Sequence, residues 1–139
     1  MAEDYVILIT GSRHYHCYEQ VQSILYKYKQ KCLLKNPPMR MRVIVGDAKS
    51  GVDVWTAVVC EEIGIPFTIY IADWATHKRG AGARRNQKMV NLEPDRYVAI
   101  WDGKSPGTLD CITRAVKKGI PGNIYPIKPD LTSQISMEF

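Results

Sequence analysis

Three apolar runs of strand length end abruptly in small and polar residues at the threshold of a helix. That repetition restricts the fold more than any single motif does. Val43-Ile44-Val45 stops at Gly46-Asp47-Ala48-Lys49-Ser50-Gly51 and opens into a helix at Val52-Asp53. Tyr5 to Thr10 runs into Gly11-Ser12-Arg13, and Tyr97 to Trp101 runs into Asp102-Gly103-Lys104-Ser105-Pro106-Gly107-Thr108. Glycine at such a junction lets the backbone bend and come close to a ligand. The helix that follows offers unpaired N–H groups and the positive end of its dipole, which attract an anion such as phosphate.

The alternation of strand-length runs with segments of helical period predicts an α/β fold. The expected form is Rossmann-like, with three layers and an open, mainly parallel sheet of about five strands carrying helices on both faces. Strands are expected at 5–10, 42–45, 67–71, 96–101 and 123–127. The first helix spans about 18–34, with Val21, Ile24, Leu25 and Tyr28 on one face. Further helices are expected from Gly51 to Ile63, Ala81 to Leu92 and Gly107 to Lys118, whereas Asp73 to Arg79 reads as a loop. In such a sheet the strand ends leading into helices share one edge, and ligands bind where the strand order reverses. Gly11, Gly46 and Asp102 are therefore expected to converge in one cleft.

A chain of 139 residues with 45% apolar and 24% charged residues suits one domain, 1–139, with its core at about 5–127 and a loosely ordered tail at 130–139. Neither a membrane-spanning run nor a signal peptide is expected. Cys17, Cys32, Cys60 and Cys111 lack any CxxC pairing, so free thiols in a cytoplasmic protein are expected, with no metal site. The net charge of +5 favours an anionic partner, nucleotide or nucleic acid.

The candidate ligand-binding residues follow from the junctions. Gly46, Ser50 and Gly51 are read as a phosphate or ribose contact, and Asp47 and Asp53 as carboxylates for ligand hydroxyls. For Asp53, stabilisation of its own helix serves equally well. Gly11 and Ser12 make room beside Arg13, whose forked guanidinium suits bidentate phosphate binding, with a surface ion pair as the other reading. Asp102, Gly103, Ser105, Gly107 and Thr108 form the second half of the pocket, although Ser105 could equally cap its helix. Trp74 is either a stacking surface for a base or a lid on the sheet. Arg85 and Asn86 start a helix and are preferred over Arg84. Lys78, Arg79 and Lys88 read as a solvated basic face, and His14, His16 and His77 as loop residues.

The motifs Gly11-Ser12-Arg13, Gly46 to Asp53, Ala72-Asp73-Trp74, Gly82 to Asn86 with Met89, and Trp101 to Thr108 keep the order and spacing of a known family. Over about residues 5–127 the chain resembles the family of unknown function DUF2493, also called YspA-like. That family belongs to the SLOG superfamily of Rossmann-like nucleotide-ligand-binding domains. The resemblance implies a pocket for a nucleotide-derived molecule and an origin in bacteria, phages or mobile elements. More distant relatives include cytokinin-activating phosphoribohydrolases and the DNA-processing protein DprA. The phosphoribohydrolases carry PGGxGTxxE with a catalytic glutamate. Here Cys111 stands in its place, which argues against that hydrolysis.

The leading expectation is a receptor for a small phosphorylated nucleotide or nucleotide-derived ligand, acting as sensor, carrier or sequestering protein, with a homodimer or higher homo-oligomer as its expected assembly. No cofactor is assigned beyond that nucleotide-like ligand. The second reading is an N-glycosidic-bond hydrolase or transferase, whose carboxylate would come from Asp47, Asp53 or Asp102. No catalytic residue is assigned beyond the candidates Asp47 and Asp102. The third is DprA-like nucleic-acid binding through Lys78 to Lys88, which lacks any nucleic-acid-binding signature.

Overall fold

The computed structural model describes residues 3–131. Strand β1 (Asp4–Gly11) leads through helix α1 (Tyr18–Leu33) to β2 (Arg40–Gly46), and α2 (Val52–Ile63) connects to β3 (Phe67–Tyr70). A short helix α3 (Trp74–His77) and one 3₁₀ turn at Lys78–Gly80 precede α4 (Ala81–Asn91), β4 (Arg96–Trp101), α5 (Pro106–Lys117) and β5 (Gly122–Pro126). The sheet order is β3-β2-β1-β4-β5, and each ladder between neighbours is parallel. This is a doubly wound Rossmann-like arrangement. Strand order reverses at β1, whose Thr10 and Gly11 pair with Ala99 and Ile100 of β4.

Sequence alternation decides which face each helix covers. On β1, Ile7 and Ile9 pack with Val21, Leu25 and Val59 of α1 and α2, whereas Leu8 points to Met89, Val90 and Ile112 of α4 and α5. On β2, Val43 and Val45 join the first group and Ile44 the second. Both faces of these strands are buried, as expected of a parallel sheet under helices. Each such side chain taken from water contributes about 1.5–3 kcal/mol. The stripe Val21, Ile24, Leu25 and Tyr28 is the buried face of α1, as its spacing predicts.

Element boundaries fall within two residues of the expected ones, except between β3 and α4. There the expected loop from Asp73 to Arg79 is largely helical. Asp73 accepts a hydrogen bond from the Thr76 N–H and caps α3, a local signal that outweighs the missing apolar period.

Asp130 departs from the expectation of a loose tail from residue 130. It is buried, its N–H donates to the His16 carbonyl, and its carboxylate accepts from the Glu19 N–H and pairs with His16 Nδ1. Residues 132–139, the rest of that expectation, lie outside the described residues. The four cysteines are free thiols and buried. Among the described residues no helix is long and apolar enough to cross a membrane.

Candidate functional site

At the carboxyl ends of β1 and β4, where the strand order reverses, lies a cavity of about 470 Å³. The β1–α1 loop contributes Gly11, Arg13 and His14, and the β2–α2 segment contributes Ala48 and Asp53. Arg85 and Asn86 enter from α4, and the β4–α5 junction supplies Asp102, Lys104, Ser105, Gly107 and Thr108. Gly11 and Asp102 thus meet in one cleft, and Gly46 stands directly behind it. A Cβ at Gly46 would lie 2.6 Å from Arg85 Nη1 and 3.0 Å from Asp53 Oδ2. The glycine there seats a guanidinium rather than a ligand.

A hydroxyl and a carboxylate fasten the two loops that flank the cavity. The fully buried Ser12 Oγ accepts from the Asp102 N–H at 3.1 Å and lies 3.1 Å from the Ser105 Oγ. Asp102 Oδ1 accepts from the N–H groups of Ser105 (2.8 Å) and Lys104 (2.9 Å) and from the Ser105 hydroxyl (3.0 Å). These donors, the two backbone N–H groups foremost, hold the Asp102 carboxyl far below the ordinary aspartate range. Asp102 stays ionised and closes its loop, so it is no proton acceptor near neutral pH. Ser105 makes no capping bond to α5, and Pro106 at the first turn has no N–H. The first turn of α5 therefore opens on the cavity through Gly107 and Thr108, both of which line it.

On the opposite wall Arg85 sits between two carboxylates. Its side chain is 9% exposed, and Nη1 donates to Asp47 Oδ1 at 2.5 Å. Asp47 also accepts from the Ala72 N–H at 3.3 Å. Asp47 is therefore committed to the protein and does not line the cavity, contrary to its reading as a ligand contact. Asp53, 8% exposed, lines the cavity and accepts from the Ala48 N–H at 3.1 Å. Burial pushes its carboxyl up to about 6, opposed by the Ala48 N–H, Arg85 and Arg13 and reinforced by Asp47. The folded state thus binds a proton on Asp53 more tightly than the unfolded chain does. Stability should fall as pH rises from about 4 to 6, by about 3 kcal/mol for this group alone. Asp53→Asn should flatten that segment of the stability profile in urea titrations. A slope unchanged in the variant would remove Asp53 as its source.

Several expected contacts have other duties. The start of α2 is closed to an anion, because the Val52 N–H donates to the Ser12 carbonyl and Asp53 fills the first turn. Ser50 donates to the Arg13 carbonyl at 2.7 Å and faces a neighbouring groove. Gly51 takes φ +76°, and a Cβ there would lie 2.2 Å from the Ser12 carbonyl oxygen. Its close approach is to the β1–α1 loop, not to a ligand. Asn86 bonds the Gly107 carbonyl and Asp110, joining α4 to α5. Gly103 forms an exposed turn with φ +78°, and Trp74, 49% exposed, packs towards Gly82 outside the cavity. Sequence reasoning passed over His14 and Lys104. The available signal was position, since each lies within three residues of a strand end that reaches the cleft.

No family model matches the chain. The Gene 61 protein of Mycobacterium phage D29 is 32% identical over 127 residues, which span 88% of this chain and 98% of the phage protein. The chain belongs to the family of that phage protein. The Gene 61 relationship thus extends over most of the chain.

Proposed function

We propose that the cleft binds a small phosphorylated nucleotide or nucleotide-derived ligand, and that the protein is a cytoplasmic sensor, carrier or sequestering protein rather than an enzyme. One observation carries this reading. Arg13 and Lys104 line the cavity with no carboxylate within ion-pair distance among the described residues, beside the open first turn of α5. Two unpaired cations and an uncapped helix start on one cavity wall suit a phosphate group. The resemblance of the five motifs to the SLOG superfamily, and to DUF2493 within it, supports the same ligand class. Four buried free thiols suit a reducing compartment.

Arg13→Ala should weaken binding of a phosphorylated nucleotide about ten- to a hundredfold, the effect of losing a charge-assisted hydrogen bond of about 1.5–3 kcal/mol. Arg13 is exposed and its side chain holds no part of the fold, so the melting temperature without ligand should hardly move. Calorimetric titration of wild type and variant with AMP, GMP, CMP and UMP checks both. Equal affinities would remove the phosphate assignment.

Phosphoribohydrolase activity is expected to be absent. Cys111 is buried among Met89, Val90 and Ile112, and burial pushes its thiol up to about 12. It offers no charge to an oxocarbenium ion at neutral pH. Neighbouring Asp110 is held by Arg114 and Asn86. Incubation with AMP, dAMP, CMP and GMP should release no base by chromatography. Turnover that vanishes in Asp53→Asn would establish the glycosidase reading instead, with Asp53 as its carboxylate.

A further inference from the structure

The cavity at the switch point has a neighbour. A second, open groove of about 500 Å³ lies on the other side of the β1–α1 loop, floored by the half-buried Trp55 and bordered by Lys49. Arg13 and His14 line both spaces, so the two lobes meet at these side chains. Each lobe alone falls within the size range of a complete small-molecule site, about 300–1,000 Å³.

The loop between the lobes is fixed by its backbone while its cation is left free. Gly51 presses against Ser12 and Arg13, and Ser50 holds the Arg13 carbonyl. The Arg13 guanidinium has no acidic partner among the described residues, and neither does Lys49. A doubly wound sheet ordinarily places a dinucleotide across this crevice, with its phosphates at the start of the first helix. Here that helix start is taken, because Asp130 accepts from the Glu19 N–H. A carboxylate at that point repels phosphate, which leaves Arg13 as the available anchor at the crossing.

We infer that the ligand is a dinucleotide: two nucleosides bridged by phosphate, one in each lobe, with the bridge on Arg13. This rests on the nucleotide reading of the first lobe and extends it. The Trp55 indole, tilted against the His16 ring with centroids 4.4 Å apart, supplies aromatic lining to the second nucleoside, and Lys49 supplies charge beside it.

The test compares mononucleotides with dinucleotides on the whole protein by calorimetric titration. The probes are AMP, GMP, CMP and UMP, the four 5′-phosphorylated homodinucleotides, and NAD as a pyrophosphate-linked arm. At least one dinucleotide should bind about tenfold or more tightly than its mononucleotide, since the second half docks at little further cost in freedom. The arm that wins tells phosphodiester from pyrophosphate linkage. Lys49→Glu should bring the ratio of dinucleotide to mononucleotide affinity close to one. Mononucleotide binding with no gain for any dinucleotide overturns the two-lobe inference and leaves the proposed function standing. A gain that survives Lys49→Glu overturns the placement of the second nucleoside. Absence of all binding overturns both readings.

Discussion

Arg85→Ala is expected to destabilise the protein by about 3 kcal/mol, the largest stability effect of any side-chain truncation around the cleft. Removing one partner of a buried ion pair leaves the other charge without compensation, and such losses run to about 3–5 kcal/mol. Arg85 is 9% exposed, and its partner Asp47 is 22% exposed, so the lower end of that range applies. Asp53 loses the same neighbour, and its carboxyl should take up a proton at still higher pH. In a domain of this size the change lowers the melting temperature by about 10 °C. Arg85→Lys should recover part of the loss, because it keeps the charge but not the planar fork. Urea unfolding at pH 7 measures both, and a loss below about 1 kcal/mol for Arg85→Ala would show that water, not Arg85, compensates Asp47. Arg85 is thus better described as the support of the Asp53 wall than as a phosphate ligand.

Gly51→Ala should rival that effect by a different route. At φ +76° and ψ −145° the residue sits near the backbone region that glycine alone populates, where other residues are strained by about 1–3 kcal/mol. The added Cβ would also lie 2.2 Å from the Ser12 carbonyl and 2.6 Å from Arg13 Cα, both backbone atoms with no rotamer to adopt. Overpacking of this kind costs a further 1–3 kcal/mol or so. Relief requires the β1–α1 loop to move, and Arg13 moves with it. The variant should therefore lose about 3 kcal/mol of stability and bind AMP more weakly than the wild type does. A Gly51→Ala protein of wild-type stability would show that the loop yields freely and that Arg13 is not pre-positioned.

The fold was legible in the sequence because its signals are periodic. Strands such as Val43-Ile44-Val45 are apolar throughout, as burial on two faces demands, and α1 carries its stripe at 3.6-residue spacing. The helical turn at Trp74–His77 was not legible by that method, since four exposed residues have no buried stripe to reveal. Its capping aspartate was the only trace. At the cleft, the convergence of strand ends was legible from topology alone. The division of labour among its residues was not. Asp47, Asp53 and Asp102 are alike in sequence context, each within two residues of a strand end or helix start. Only packing separates a carboxylate tied to Arg85 from one pinned by backbone N–H groups and from one buried with a raised proton affinity. Likewise Gly46 and Gly51 announce close approach, but not whether a ligand or another part of the chain does the approaching.

Asp130 carries a consequence for how the molecule is made. It reaches back over more than a hundred positions to hold His16 and the start of α1. During synthesis the chain emerges at about 5–20 residues per second, amino end first. The early strands can gather while the ribosome is still at work, yet the segment bearing Arg13 gains its last fastening only after residue 130 has left the exit tunnel. The mouth of the cleft is thereby completed only once residue 130 has emerged, so a nascent fragment that stops short of it has a nearly finished sheet but an unfinished mouth.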